Sequence, residues 1–418
     1  MTVESAKKRG EARGWPLLAL LCATQVLNML DNATFPALIP VFQPLWSLSG
    51  TEAGWVSGIY YAGYAAAVPL LVTITDRFDA RSIYLACCLV GAVAALAFAF
   101  LAEGLWTAMA FRAMGGVSLA GTYMVGLKLL SDRLDERRRP RAVAIYTAFF
   151  GIGASLSVLV AGEVEVRAGW AAAFVAAGLG AVVAFALVLF FVRPLAPRPA
   201  ASPPQGLFDF RPVLRNRPAM AYTFGYAAHI WELFGFRAWL VAFLVYVFAQ
   251  QPGLAASPWT PTQLATVVLL LGMPASIAGN EIATAFGRRR SVAAFMIASG
   301  AISLVLGFLA AAPLWLLLVL LAVYGCVIMA DSGALTAGTV IAATPERRGA
   351  TMALHSLTGF ASGFVAPLAF GIVLDLGGGT GSGLAWGLAF ALLGLGVLMG
   401  PLALARLERA ELPSPRQN

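Results

Sequence analysis

Charge is scarce in this chain: 11% of its 418 residues are Asp, Glu, Lys or Arg, against about 25% in ordinary soluble domains. With 60% hydrophobic residues, a water-facing fold would have nothing to cover its surface, which excludes a soluble globular protein. Histidine is scarcer still. His229 and His355 are the only two, too few and too far apart for a histidine-based metal centre or the clustered base of an enzyme. The four cysteines, Cys22, Cys87, Cys88 and Cys326, lie in apolar runs without C-x-x-C spacing. They read as small buried hydrophobes rather than disulfides or a zinc site. No G-x-x-x-x-G-K-[ST] occurs, which removes ATP drive by a phosphate-binding loop within this chain. Met109, Met114, Met124, Met329 and Met352 are scattered, as packing methionines are and a soft-metal path is not. No cofactor and no metal is expected.

What the chain has in abundance is long apolar runs. A helix crosses a bilayer with about 20 mostly apolar residues, and twelve stretches qualify: 15–41, 53–74, 82–102, 105–130, 142–164, 169–192, 219–248, 261–284, 292–311, 314–342, 350–374 and 384–405. The first follows Lys7, Lys8, Arg9 and Arg13, as in a signal peptide. Its length exceeds a signal core and no small-x-small cleavage site ends it, so it reads as a span. Alternating the spans across a membrane puts 24 of the 28 Lys and Arg on one side; the exceptions are Arg167 opposite and Arg112, Lys128 and Arg237 inside spans. By the positive-inside rule both termini are expected in the cytoplasm, at a bacterial inner membrane. The net charge of +8 is then loop charge facing anionic lipid, and no nucleic-acid partner is needed.

Residues 193–218, RPLAPRPAASPPQGLFDFRPVLRNRP, cannot span. They predict a cytoplasmic linker, solvated or resting on the membrane surface, between bundles at 1–192 and 219–418. The two bundles read as repeats at an offset of 209 residues, which lays Arg138 on Arg347, Ala144 on Ala353, Gly116 on Gly325 and Gly162 on Gly371. Duplicated halves are a transporter architecture. The fold class expected is therefore an all-α membrane protein of twelve transmembrane helices in two six-helix pseudo-repeats.

Two loops sharpen this. Asp76-Arg77-Phe78-Asp79-Ala80-Arg81 follows the second span, and Phe286-Gly287-Arg288-Arg289-Arg290 follows the eighth. Together they resemble the D-R-x-G-R-R signature of the major facilitator superfamily, the first with Asp79 in place of glycine and the second with Thr284 at the acidic position. Arg112-Ala113-Met114-Gly115-Gly116 resembles the R-x-x-x-G pattern common in its proton-coupled antiporters. The fifth span has Gly151, Gly153 and Gly162 without the proline of the antiporter motif. The resemblance implies a monomeric secondary transporter, symporter or antiporter, with a small-molecule substrate and protons as partners. It also implies gating loops: Asp76, Arg77 and Arg81 in the first half, with Gly287, Arg288, Arg289, Arg347 and Arg348 in the second. A helix end near Asp76 invites capping by that residue. The competing function is a transporter-like sensor or assembly subunit with no transport cycle.

Ionisable groups within spans cost at least ~2.5–3.5 kcal/mol each, so they are functional candidates by default. Asn28, Asp31 and Asn32 lie three or four apart, on one expected face of the first span. In the seventh, Tyr222, Tyr226, His229, Glu232, Phe236 and Arg237 share a stripe about 140° wide at 100° per residue. Arg112 and Tyr123 share a face of the fourth, and Asp331 sits midway along the tenth. The predicted site is thus Asn28, Asp31, Arg112, Tyr123, Tyr226, His229, Glu232, Arg237 and Asp331. Asp31 or Glu232 would carry a proton, and Arg112 and Arg237 would balance the acids or hold an anionic solute. Fixed interhelical ion pairs are the alternative role for the same residues. The solute expected is a small organic or inorganic anion or a drug-like amphiphile.

Overall fold

The computed structural model describes residues 3–196, 210–251, 253–254 and 257–408; most of the predicted linker lies outside these. All regular structure among the described residues is helical. Among the described residues eleven helices are long and apolar enough to cross a membrane, and a shorter apolar helix covers Gly14–Met29. The chain is an integral membrane protein.

The chain divides into two compact units, Met1–Ser47 with Ile59–Ala201, and Leu48–Gly58 with Ser202–Asn418. The first holds α1 (Val3–Met29), α2 (Thr34–Ala37), α3 (Ile39–Trp46), most of α4 (Gly50–Ile74), α5 (Ala80–Leu101), α6 (Leu105–Ser131), α7 (Arg139–Ala168) and α8 (Trp170–Phe191). The second holds α9 (Arg211–Arg215), α10 (Arg217–Gln250), α11 (Pro261–Phe286), α12 (Arg288–Leu306), α13 (Leu314–Ala330), α14 (Ser332–Ala342), α15 (Arg348–Leu376), α16 (Gly383–Val397) and α17 (Met399–Glu408).

Two predicted spans are broken at candidate site residues, and the twelfth is also interrupted, at Leu398 between α16 and α17. The first stops at Met29 and resumes as α2 and α3, with Leu30–Ala33 in a turn. Proline explains the break. Pro36 has no N–H for the carbonyl of Asn32, four residues earlier, and its ring crowds that carbonyl; Pro40 repeats the problem one turn on. Both prolines fall in the first turn of a new short helix, where they are tolerated. The tenth span breaks at Asp331, between α13 and α14, where Ser332 and Gly333 weaken helix propensity. Both breaks fall at acids singled out above, so Asp31 and Asn32 lie in a turn and not on a helical face.

The first turns of α4 belong to the second unit. Asp375, near the end of α15, accepts from the Gly50 and Thr51 amides at 2.7 Å each and from the Thr51 hydroxyl at 2.6 Å. One carboxylate thus caps the N-terminus of another helix, which opposes that helix's positive end. Below it Gly54 and Gly58 lie against the carbonyls of Pro367 and Phe364. Asp375→Ala is expected to cost about 1–2 kcal/mol, the range for a lost cap, read as a lower melting temperature of the purified protein. An unchanged melting temperature would show that the cap is not needed.

Candidate functional site

In the first unit the break after α1 is stapled from two directions. Arg112, on α6 and 1% exposed, donates to the Asp31 carbonyl at 2.6 Å and the Asn32 carbonyl at 2.8 Å. Its Nη1 lies 3.2 Å from Asp31 Oδ2, and its guanidinium rests 4.3 Å from the Tyr60 ring centroid. From α7, Ser157 donates to the Leu30 carbonyl at 2.6 Å and accepts from the Ala33 amide at 3.0 Å. A freed backbone group inside a membrane must find a partner within the protein. Arg112 supplies the donor that Pro36 withholds from Asn32. The glycines of the R-x-x-x-G pattern make room for this: a Cβ on Gly115 would meet Asp31 Oδ2, and one on Gly116 would overlap the Tyr60 carbonyl.

Asn28 and Tyr123 do not join that pair. Asn28 donates to the Thr24 carbonyl at 2.9 Å and the Tyr84 hydroxyl at 3.1 Å. The Tyr84 hydroxyl in turn donates to Thr24 Oγ1 at 3.0 Å. Tyr123 is half-buried, with its ring 4.8 Å from Phe150 and stacked 6.0 Å from Tyr146. Lys128 pairs with Asp132 one turn on, at 3.0 Å.

In the second unit the polar stripe of α10 does gather partners. His229 Nδ1 lies 2.7 Å from Asp331 Oδ1, with both side chains no more than 2% exposed. This pair bridges α10 to the α13–α14 break. Tyr226 stacks on His355 at 3.9 Å, and His355 Nδ1 is 3.0 Å from Thr339 Oγ1. Arg237 is half-buried, with Nη2 3.9 Å from Met329 Sδ.

Glu232 has a different surrounding. It is 1% exposed and faces α12 and α13. Ser299 donates to Oε2 at 2.7 Å, and the Tyr324 hydroxyl lies 3.2 Å from Oε1. Tyr324 is also 3.0 Å from Ser303 Oγ, which donates to the Phe390 carbonyl at 2.7 Å. Among the described residues no cation pairs with Glu232. The chain of hydroxyls fits both charge states. When Glu232 is ionised, Tyr324 and Ser299 both donate to it. When it is protonated, it donates to Tyr324, which donates to Ser303, and Ser299 still donates to Oε2.

The loops differ from the capping expectation. Asp76 and Arg77 are exposed, and the α5 cap is Asp79, which accepts from the Arg81 amide at 3.0 Å. Asp79 stands two residues before Arg81, where a carboxylate reaches back-facing amides of the first turn; Asp76 is too far upstream. Asp79 also accepts from the Leu195 amide at 3.1 Å and lies 3.7 Å from Arg133, while Arg81 donates to the Leu189 carbonyl at 2.7 Å. The residue that departs from the family glycine is therefore the one that ties the loop down. In the other loop Gly287 turns the chain at φ 94°. Arg288 donates to the Ala334 carbonyl at 3.1 Å and to Asn280 Oδ1 at 3.3 Å. Arg289 and Arg347 are half-buried, and the exposed Arg348 opens α15.

The sequence pattern of the Major Facilitator Superfamily matches residues 21–279, more than half of the chain. The chain belongs to the major facilitator superfamily. Members similar to it include the niacin transporter NiaP of Acinetobacter baylyi, 26% identical over 39% of this chain and 37% of that protein. Human protein spinster homolog 1 is 25% identical over 55% of this chain and 45% of that one. The chain thus matches less than half the length of each. Among solved superfamily structures, a bacterial homolog of the human lysosomal transporter spinster, inward-facing and unoccupied, matches with a TM-score of 0.73 at 15% identity over 94% of this chain and 95% of that one. The nucleoside transporter NupG matches with a TM-score of 0.73 at 16% identity, covering 94% and 99%. The fold is that of the superfamily's transporters.

Sequence reasoning passed over Ser157, Ser299, Tyr324, Ser303 and Asp375. Hydroxyls in apolar helices carry no periodic signal. Asp375 had one: an acid at the end of a span, with a glycine at the start of another.

Proposed function

We propose that the protein is a proton-coupled secondary active transporter that moves a small organic solute, anionic or amphiphilic, by alternating access across a bacterial inner membrane. Glu232 is the coupling acid in this reading. The observation that carries it is the hydroxyl chain Ser299–Glu232–Tyr324–Ser303, which accommodates the carboxylic acid and the carboxylate without moving a heavy atom. An acid retained in hydrocarbon with no cation beside it costs stability, and reversible protonation gives it a use. Asp31 has a rival explanation in its pairing with Arg112.

The His229–Asp331 pair is assigned to the same proton path, because His229 lies on the same polar face of α10 as Glu232. Arg237, one and a half turns beyond Glu232, is assigned to the negative charge of the solute. Arg112 is committed to Asp31 and to two carbonyls, which favours a positioning role for it. The arginine-rich loops, with Asp79 as a fixed point, are assigned to gating.

Thermal stability against a solute panel at two pH values tests the reading, since a ligand that binds the folded state raises the melting temperature by mass action. Niacin and a nucleoside, taken from the names of a relative and a structural neighbour, head the panel, followed by other organic acids and amphiphiles. A hit whose size depends on pH is expected for wild type, with the pH dependence lost in Glu232→Gln. If Asp31→Asn and Glu232→Gln, both expressed normally, each left pH-driven transport of the hit intact, the coupling assignment would be wrong.

A further inference from the structure

The first unit carries a second basic feature, remote from the stapled break. Where α1 and α7 meet the loop after α6, a cavity of about 320 Å³ is lined by Gly14, Trp15, Leu18, Leu134, Arg137, Arg138, Arg141 and Ala142. Its volume is at the lower end of small-ligand pockets, about 300–1,000 Å³. The arginine run splits by role. Arg139 turns away and donates to the Ser131 carbonyl at 3.2 Å and the Leu134 carbonyl at 3.4 Å, closing the loop. Arg137, Arg138 and Arg141 all line the cavity, and a Cβ on Gly14 would stand 3.6 Å from Arg138 Nη1.

Among the described residues no carboxylate lines this space. Asp132 is taken by Lys128, and Asp135 and Glu136 are exposed on the loop outside it. Arg141 lies 5.4 Å over the Trp15 ring, and Trp15 is 47% exposed at the end of its span, the level at which tryptophan anchors to a bilayer surface. Leu18 and Leu134, both buried, form an apolar floor. A half-open space with guanidinium groups on one wall, an interfacial tryptophan on another and hydrocarbon below suits an anionic head attached to an acyl chain. Basic pockets between spanning helices bind phospholipid head groups in this way, and guanidinium grips phosphate through two N–H groups at once.

We propose that this cavity is a phosphate-group site, occupied by the head of an anionic phospholipid held by Arg137 and Arg141. The test uses the full chain purified in neutral detergent, with dioleoyl-phosphatidylglycerol, dioleoyl-phosphatidylcholine or inorganic phosphate added. Phosphatidylglycerol is expected to raise the melting temperature, and phosphatidylcholine and phosphate at matched concentration are not. A basic side chain beside anionic lipid is worth about fivefold in affinity, so Arg137→Gln/Arg141→Gln should need about thirtyfold more phosphatidylglycerol for the same rise. Both residues are exposed, so the double variant should fold, and Arg167→Gln at the opposite end of α7 should respond as wild type does. Native mass spectrometry of the same samples counts bound lipid independently of melting and should show one phosphatidylglycerol fewer in the double variant. An equal, arginine-dependent rise with inorganic phosphate would support the site and assign it to soluble phosphate compounds. No preference for phosphatidylglycerol over phosphatidylcholine, or an undiminished response in the double variant, would overturn the proposal.

Discussion

Arg112→Ala should be close to unfoldable. It removes the guanidinium beside Asp31, takes the donors from two carbonyls at the break after α1, and lifts a cation off the Tyr60 face. Stranding a buried charge by deleting its partner costs about 3–5 kcal/mol, a large part of the 5–15 kcal/mol that typically holds a fold. The expected result is a collapse in the yield of monodisperse protein and in melting temperature. Asp31→Asn should be far milder, because both carbonyl bonds and the Tyr60 contact remain and the surviving cation keeps three polar partners. Arg112→Lys should fall between the two, since an ammonium cannot span two carbonyls and a carboxylate with a fixed fork. Near-wild-type melting of Arg112→Ala would contradict the stapling role.

Glu232→Gln should behave in the opposite manner, folding well and losing coupling. The amide oxygen still accepts from Ser299 and the amide nitrogen still donates to Tyr324, so no hydroxyl of the chain is orphaned. What disappears is the exchangeable proton. In proteoliposomes the variant should equilibrate labelled solute with unlabelled solute inside at equal pH, yet show no accumulation beyond equilibrium when a pH gradient is imposed. Glu232→Ala is a poorer probe, because it leaves Tyr324 and Ser299 without a buried acceptor, at about 1–3 kcal/mol for each unsatisfied group. Gradient-driven accumulation by Glu232→Gln equal to wild type would remove this residue from the coupling path.

The fold was legible because hydrocarbon imposes a coarse code: a run of about 20 apolar residues, a basic loop on one side, a repeat. The breaks at Leu30–Ala33 and Asp331 were not legible from that code. A hydropathy window averages over a proline or a Ser-Gly step, and Asp31 three residues after Asn28 looks the same on a continuous helix as in a turn. The residues of the stripe on α10 were visible as one face. Their partners were not: helical periodicity says which residues share a face, and nothing of which neighbouring helix meets them. Pairing His229 with Asp331 rather than with Glu232 requires the packing of α13 and α14 against α10. Arg112 was singled out for its cost in the membrane, which its position signals. Its use as a donor to broken backbone depends on Pro36, 76 residues earlier, and only the assembled unit joins the two.

Whether solute movement carries protons is the central question, and internal pH in sealed proteoliposomes answers it most directly. Wild-type protein is reconstituted with a pH-sensitive dye inside, equal pH on both faces and the membrane potential clamped, and the solute found in the stability panel is added outside. The account predicts an interior pH change that needs both protein and solute, and that is absent in Glu232→Gln. Solute uptake by wild type with no change in interior pH would contradict it.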